Sequence, residues 1–486
     1  MAESTSLKRG PGPGAVPWWQ PVGLAALAGG MGWGIRGQYG HETGAMIAGV
    51  LVGFVLVLLL ARQAPALSAA RAVAWFTIAI GFGGSMTYAQ TIGLTHDAAL
   101  VGHEAAWRWG MVGLALKGAI WIGFAGVFLG MGLGGVRYRI RELLLLMAML
   151  LILYWAGCRL INEPFDPARR VLPRLYFSAD WRWLPEAVLK PRREVWGGLL
   201  LGLLALAGYC RWGRGDRLAF RLALWAMLGG AVGFPLGQCL QSHHAWHPEL
   251  YREGIWATLD PVMNWWNIME TTFGAVMGAA LGLGLWLNRH RVTWDPSPRV
   301  ELLPAAEWVL LAVHGLLLWV GEFHPVSVLD SIADLGLAMG VIPIVAVATG
   351  RWWPFLLLFP VTLAPIAGKT LRQLGYEEHA LNLPLAWVAY AVVPVLLATV
   401  AAGWAVRVAA ARGQEGERFL RRGLLVSVWI YFWLNHAFFH YPWPWEKWTY
   451  RTLNGLVYTA CALGLTAVAL WKPRAGPKEP CAGARH

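Results

Sequence analysis

Charge is scarce in this chain, and acidic charge is scarcest. Asp, Glu, Lys and Arg make up 14% of its 486 residues, with 40 basic against 27 acidic. Water-soluble globular domains carry about 25% charged residues, so that class is excluded. Cysteine is also sparse. Cys158, Cys210, Cys239, Cys461 and Cys481 are scattered, with no CxxC pair and no disulfide-framework spacing. Those within or beside apolar runs read as small hydrophobes. A P-loop, a GxSxG elbow, a kinase-like motif set and HExxH are all missing. Gly32-Trp33-Gly34 is no dinucleotide fingerprint, because no strand precedes it.

Hydrophobic residues, by contrast, reach 57% and fall in continuous runs. Membrane β-barrels need short alternating segments, whereas runs of about 20 apolar residues are helical spans. The fold class is therefore all-α: a polytopic integral membrane helix bundle, one multipass domain over residues 1–486. Spans are expected near 19–36, 44–61, 72–93, 107–134, 142–158, 195–211, 218–240, 262–287, 302–321, 326–349, 352–368, 384–406, 423–440 and 452–471, about fourteen transmembrane helices. The first, preceded by Lys8 and Arg9, runs on into a Gly/Arg motif and reads as a retained helix, not a cleaved signal.

The net charge of +13 comes from clusters in every second connection: Lys8/Arg9, Arg62/Arg71, Arg137/Arg139/Arg141, Arg211/Arg214/Arg217, Arg289/Arg291/Arg299, Arg351, Arg407–Arg422 and Lys472–Lys478. The positive-inside rule places these loops and both termini in the cytoplasm. Such spacing describes topology and not a nucleic-acid face, so no nucleic-acid partner is expected. The expected location is the inner (plasma) membrane, with the lipid bilayer as partner; homo-oligomer formation stays open. The other loops face outward. The longest, 159–194, carries Pro164, Pro167, Pro173, Pro185 and Pro191 and reads as an ordered outer cap, since a free linker is richer in Gly and Ser.

That orientation sorts the histidines. His41, His96, His103, His243, His244, His247, His324, His379, His436 and His440 fall on the outer side; His290 and His486 are cytoplasmic, and His314 lies mid-span. A weak repeat links 72–134 with 218–287: Gly81-Phe82-Gly83-Gly84 to Gln90 resembles Gly229-Gly230 to Gln238, and each leads into a Trp-rich re-entry and a Gly/Ala-rich helix. Gly29–Gly53 is a shorter version. Hairpin repeats of this sort are common in transporters.

The densest motif is Gly29 to Met46, with seven glycines in the sixteen residues from Gly29. It reads as a tight hairpin at a membrane face, its glycines permitting positive φ. Arg36, Gln38, His41 and Glu42 sit in it next to hydrocarbon, where ionisable groups by default mark function. Arg36 offers a fixed fork of donors to a carboxylate, phosphate or sulfate, with Glu42 as its resting partner. Deeper, Lys117 and Glu270 occupy nearly equivalent repeat positions and are expected to pair. Gln90, Gln238, Asn264 and Asn267 surround the same outer half. His96-Asp97 and His103-Glu104, with Arg108 a turn on, and His243-His244 suit acid/base work or a proton relay. Their spacing matches no zinc signature, so no metal is assigned, and no cofactor is implied. Thirty-one tryptophans exceed an interfacial belt and include pocket-wall candidates such as Trp33, Trp107 and Trp265.

Two functions compete. One is a transporter of a small polar solute, anionic or sugar-like, entering an outward-facing chamber and possibly proton-coupled. The other is a membrane-embedded enzyme that transfers a group onto a lipid or glycan at its outer face, as one-sided histidines favour. A structural subunit of a larger complex is the third reading.

Overall fold

Helices account for most of the described residues. The computed structural model describes residues 8–9, 16–37, 39, 43–86, 88–178, 181–188, 190–295, 299–323, 340, 342–358, 362–410, 416–439 and 447–471. Short helical turns aside, the elements are α1 (Trp19–Arg36), α2 (Thr43–Leu60), α3 (Ala66–Gly83), α4 (Ala89–His96), α5 (Glu104–Leu133), α6 (Ile140–Ile161), α7 (Trp196–Gly208), α8 (Arg217–Trp246) and α9 (Trp265–Leu287). There follow α10 (Pro304–Phe323), α11 (Ile342–Thr349), α12 (Trp353–Leu358), α13 (Leu363–Leu371), α14 (Val393–Ala410), α15 (Gly416–Asn435) and α16 (Thr452–Leu470). Among the described residues, nine helices are long and apolar enough to cross a membrane. The chain is thus an all-α bundle of membrane-spanning type.

Six helices close a ring in the order α1, α2, α3, α5, α8, α9 and back to α1. Glycine decides which neighbours meet. Gly274, Gly278 and Gly282 of α9 lie against the backbones of Gly29, Ala25 and Pro21 of α1, so any Cβ there collides with a carbonyl. Gly118 of α5 faces Gly230 of α8 backbone to backbone in the same way. Small residues at four-residue spacing bring helices close enough for dispersion and weak hydrogen bonds to hold them without a hydrophobic driving force.

This corrects the reading of the Gly29–Met46 stretch. Helices α1 and α2 flank it as expected, but the glycines from Gly29 to Gly34 belong to α1, which runs on to Arg36, and α2 begins at Thr43. Gly37 is right-handed, and among the described residues the positive-φ glycines are Gly102, Gly135, Gly215 and Gly254. The motif's described glycines serve close approach, not unusual dihedrals. Gly32 packs on Ala48, and Gly34 on Thr271 and Tyr458.

The run expected at 72–93 is also not continuous. It begins earlier, at Ala66, stops at Gly83 and resumes as the half-length α4 at Ala89. By contrast α5 and α8, at 30 residues each, extend about 45 Å, some 15 Å more than the hydrocarbon core needs. Their upper ends, with α4 and the 162–195 segment, build a rim above the ring.

The basic loops gather at the opposite end. The strand Lys8–Arg9 pairs antiparallel with Thr293–Trp294. Arg71 donates to the Arg299 carbonyl at 2.8 Å, Arg137 pairs with Glu301, and Arg214 donates to the Arg137 carbonyl at 2.6 Å. Partial burial, then the neighbouring Arg291, Arg221 and Arg289, push the His290 imidazole below its ordinary value there.

Candidate functional site

Arg36 is the last residue of α1, where a cation complements the helix dipole. It is buried to 1% exposure in the upper part of the ring. Its Nη2 donates to Glu270 Oε1 of α9 at 2.7 Å and to the Tyr88 hydroxyl. Tyr88 stands in the break between α3 and α4, and its hydroxyl also donates to Glu270 Oε1, at 3.4 Å. The guanidinium carbon lies 5.2 Å from the Trp33 and Tyr88 ring centroids and 5.3 Å from that of Trp121. Cation–π contacts of this kind strengthen when desolvated. Trp33 also meets Phe273 edge-on, and Phe273 stacks on Phe234. Gly37 lets the turn pass over the carboxylate, since a Cβ there would meet Glu270 Oε2 at 2.5 Å. Asn267 Nδ2 donates to the Gly34 carbonyl at 3.0 Å and fixes the same turn from α9.

A second buried charge pair lies on the other side of α4. Lys117 Nζ of α5 donates to Glu194 Oε1 at 2.7 Å, Ser178 Oγ at 2.8 Å and Thr91 Oγ1 at 2.9 Å. Glu194 also accepts from Ser178 Oγ at 2.5 Å, the Phe177 N–H at 2.9 Å and the Trp196 indole at 3.0 Å. Ser178 and Glu194 belong to the expected outer cap, which therefore reaches down into the bundle as a plug. Burying both charges is tolerable only because each is paired and hydrogen-bonded.

The expected Lys117–Glu270 pair is therefore wrong. Each residue has a different partner, Glu194 for Lys117 and Arg36 for Glu270. Gln38, His41 and Glu42 lie outside the described residues, and so does an Arg36–Glu42 contact. The remaining candidates sit around the rim and not in one cluster. Gln90 holds the cap, donating to the Lys190 carbonyl at 3.0 Å and accepting from Arg192 N at 3.2 Å. Gln238 donates to Thr95 at 2.8 Å. Asn264 caps α9 through the Asn267 N–H.

His96 is 3.7 Å from Asp97, His103 caps α5 by accepting from Ala106 N, and Arg108 forms an exposed i, i+4 pair with Glu104. His244 stacks on Trp265 and bonds Asp260 at 2.9 Å, while His243 meets the Tyr251 hydroxyl at 2.9 Å. Among the described residues, no three His, Cys, Asp or Glu side chains come together as a metal-holding group.

The chain matches no family model, no curated protein and no solved structure. Its chemistry must be read from its own geometry. Tyr88, Ser178 and Glu194 were not singled out from the sequence. Tyr88 lies inside the quoted Gly81–Gln90 repeat, where a lone tyrosine among glycines was the available signal. Glu194 is one of several charges of both signs in the 159–194 loop, and nothing in its sequence context sets it apart.

Proposed function

We propose that the chain is an inner-membrane transporter carrying a small polar solute, anionic or sugar-like, through an outward-facing chamber whose floor is Arg36, Tyr88 and Glu270. About fourteen spans with both termini cytoplasmic suit this reading, as do three hairpins (α1–α2, α3–α5 and α8–α9) following one another round the ring. The observation that carries it is the buried Arg36–Glu270 pair bonded to Tyr88, where α3 ends at Gly83 and the short α4 starts at Ala89. Transporters place solute and coupling-ion sites at such discontinuities, where a short half-helix can move without unzipping a long one.

Arg36 at this depth needs an anion at all times. A solute anion docking on its fork displaces Glu270, and a proton taken up by Glu270 removes the stranded charge. That exchange couples solute to proton. Arg36 and Glu270 are each only 1% exposed, so the proposed chamber is closed over its floor in this conformation. An occluded centre suits alternating access.

The test is uptake by protein reconstituted in liposomes, using labelled sugars and organic acids under an inward proton gradient. At least one solute should accumulate. Tyr88→Phe, which removes the bridging hydroxyl, should slow uptake about tenfold, equivalent to one charge-assisted hydrogen bond. A modified lipid or glycan product with no uptake of any solute would favour the enzyme instead.

A further inference from the structure

At the basic end of the bundle, opposite the rim, the start of α3 and the ends of α5 and α11 meet the stretches 293–295 and 299–301 around a cleft of about 170 Å³. One water needs roughly 10–15 Å³ of such space, so the cleft has room for more than solvent. Side chains bridge its walls. Arg71 of α3 donates from Nη2 to the Arg299 carbonyl at 2.8 Å and from Nε to the Val347 carbonyl at 3.1 Å. Arg137, just beyond α5, donates from Nη2 to Glu301 Oε1. Ser68 Oγ donates to the Asp295 carbonyl at 3.2 Å. Because these bonds join one wall to another, the Arg71 and Arg137 guanidiniums lie between the walls and border the space.

Those guanidiniums are only partly used. Nη1 of Arg71, and Nε and Nη1 of Arg137, make no hydrogen bond among the described residues. Arg299 is exposed and its side chain enters no ion pair among the described residues. Three arginines against two carboxylates, Asp295 and Glu301, give the lining one surplus positive charge. Segments tied together for stability alone pack closed, as protein interiors do. These ties hold a space open and leave spare charged donors at its border. A group with several acceptor oxygens and net negative charge meets that description, and the arginine fork suits phosphate in shape and charge. Buried rings of Trp75, Tyr138 and Trp294 stand at the same helix ends, the composition of a membrane–water interface. Basic pockets between helix ends on the cytoplasmic side are where anionic headgroups bind.

We propose that this cleft binds a phosphate ester, its phosphate held by Arg71, Arg137 and Arg299. The ester is the headgroup of an anionic phospholipid or a small soluble organophosphate; the recognition chemistry is the same for both. The site lies at the other end of the bundle from Arg36 and Glu270 and does not depend on the transport reading.

Two matched pairs of additives test it on the purified full-length protein: short-chain phosphatidylglycerol against short-chain phosphatidylcholine, and glycerol 3-phosphate against glycerol. In thermal scans at equal concentrations, at least one anionic ester should raise the melting midpoint above its counterpart, since a ligand of the native state stabilises by mass action. A shift with phosphatidylglycerol alone assigns the site to lipid, with glycerol 3-phosphate alone to a soluble ester, and with both to the phosphate group whatever carries it. Arg137→Gln should weaken binding about tenfold, equivalent to one charge-assisted hydrogen bond, and Arg71→Gln should abolish the shift. Arg169→Gln, which removes an exposed charge of the outer cap, should leave it intact. Midpoints without additive report whether each variant is folded; if one is not, the comparison within each pair on the unmodified protein still decides. No shift from either ester, an equal shift from its counterpart, a shift that survives in both folded arginine variants, or one lost equally in Arg169→Gln overturns the proposal.

Discussion

Among the described residues two ion pairs are fully buried, Arg36–Glu270 and Lys117–Glu194, and they are built differently. Lys117–Glu194 is cross-braced. Three oxygens surround the ammonium, and both carboxylate oxygens accept from backbone or side-chain donors. Arg36–Glu270 is walled by rings, and the carboxylate receives Arg36 and Tyr88 on the same oxygen. One joins an outer loop to the core; the other joins two ring helices to a break in a third. Burial and opposite charge are common to both. In the proposed mechanism it is the hydrogen-bond shell, not the pairing itself, that separates a clamp from a centre able to exchange partners.

The largest effect should come from breaking the clamp. Lys117→Met leaves Glu194 buried and unpaired, at a cost of about 3–5 kcal/mol. Adding Glu194→Gln should restore most of it, because two neutral groups need no mutual compensation. Denaturation of the two singles and the double mutant measures the coupling; a double no better than the sum of the singles would remove the clamp.

The ring-walled pair should respond in function more than in stability. Arg36→Lys keeps the charge and loses the fork and the flat face offered to Trp33, Tyr88 and Trp121. Solute uptake should fall at least about tenfold, with a smaller melting shift than Lys117→Met gives. An active Arg36→Lys protein would make the two pairs equivalent and purely structural.

The smallest effect provides the baseline. Arg108→Ala breaks a pair whose side chains are 73% and 70% exposed. Such i, i+4 pairs are worth at most about 0.5 kcal/mol, so melting and uptake should both stay unchanged. A large effect would mean that the rim, and not the ring interior, carries the chemistry.

Helix positions were legible in the sequence because an apolar run of fixed length has one stable state in lipid. The runs read at 44–61, 107–134, 142–158, 218–240, 262–287 and 452–471 hold helices Thr43–Leu60, Glu104–Leu133, Ile140–Ile161, Arg217–Trp246, Trp265–Leu287 and Thr452–Leu470. The break after Gly83 was present in the sequence as Gly83-Gly84-Ser85 followed by Thr87, Tyr88 and Gln90, but a run judged over some 20 residues averages so short a polar stretch away. Nor does hydropathy tell an inner helix from a lipid-facing one: α2 and α6 are both strongly apolar, yet 89% of one and 22% of the other is buried within the bundle.

Depth along the bilayer normal is a one-dimensional property, and the sequence placed Lys117 and Glu270 near one level, with Arg36 nearer the membrane face. Partner choice at that level depends on the order of helices around the ring and on which loops fold inward. Only the tertiary structure decides that. The Gly274–Gly278–Gly282 stripe draws α9 onto α1, which brings Glu270 to Arg36. Gly118 and Gly230 draw α5 onto α8, and Glu194 descends from the cap to meet Lys117. A charge in hydrocarbon must find an opposite charge, but close packing of backbones selects which one it meets.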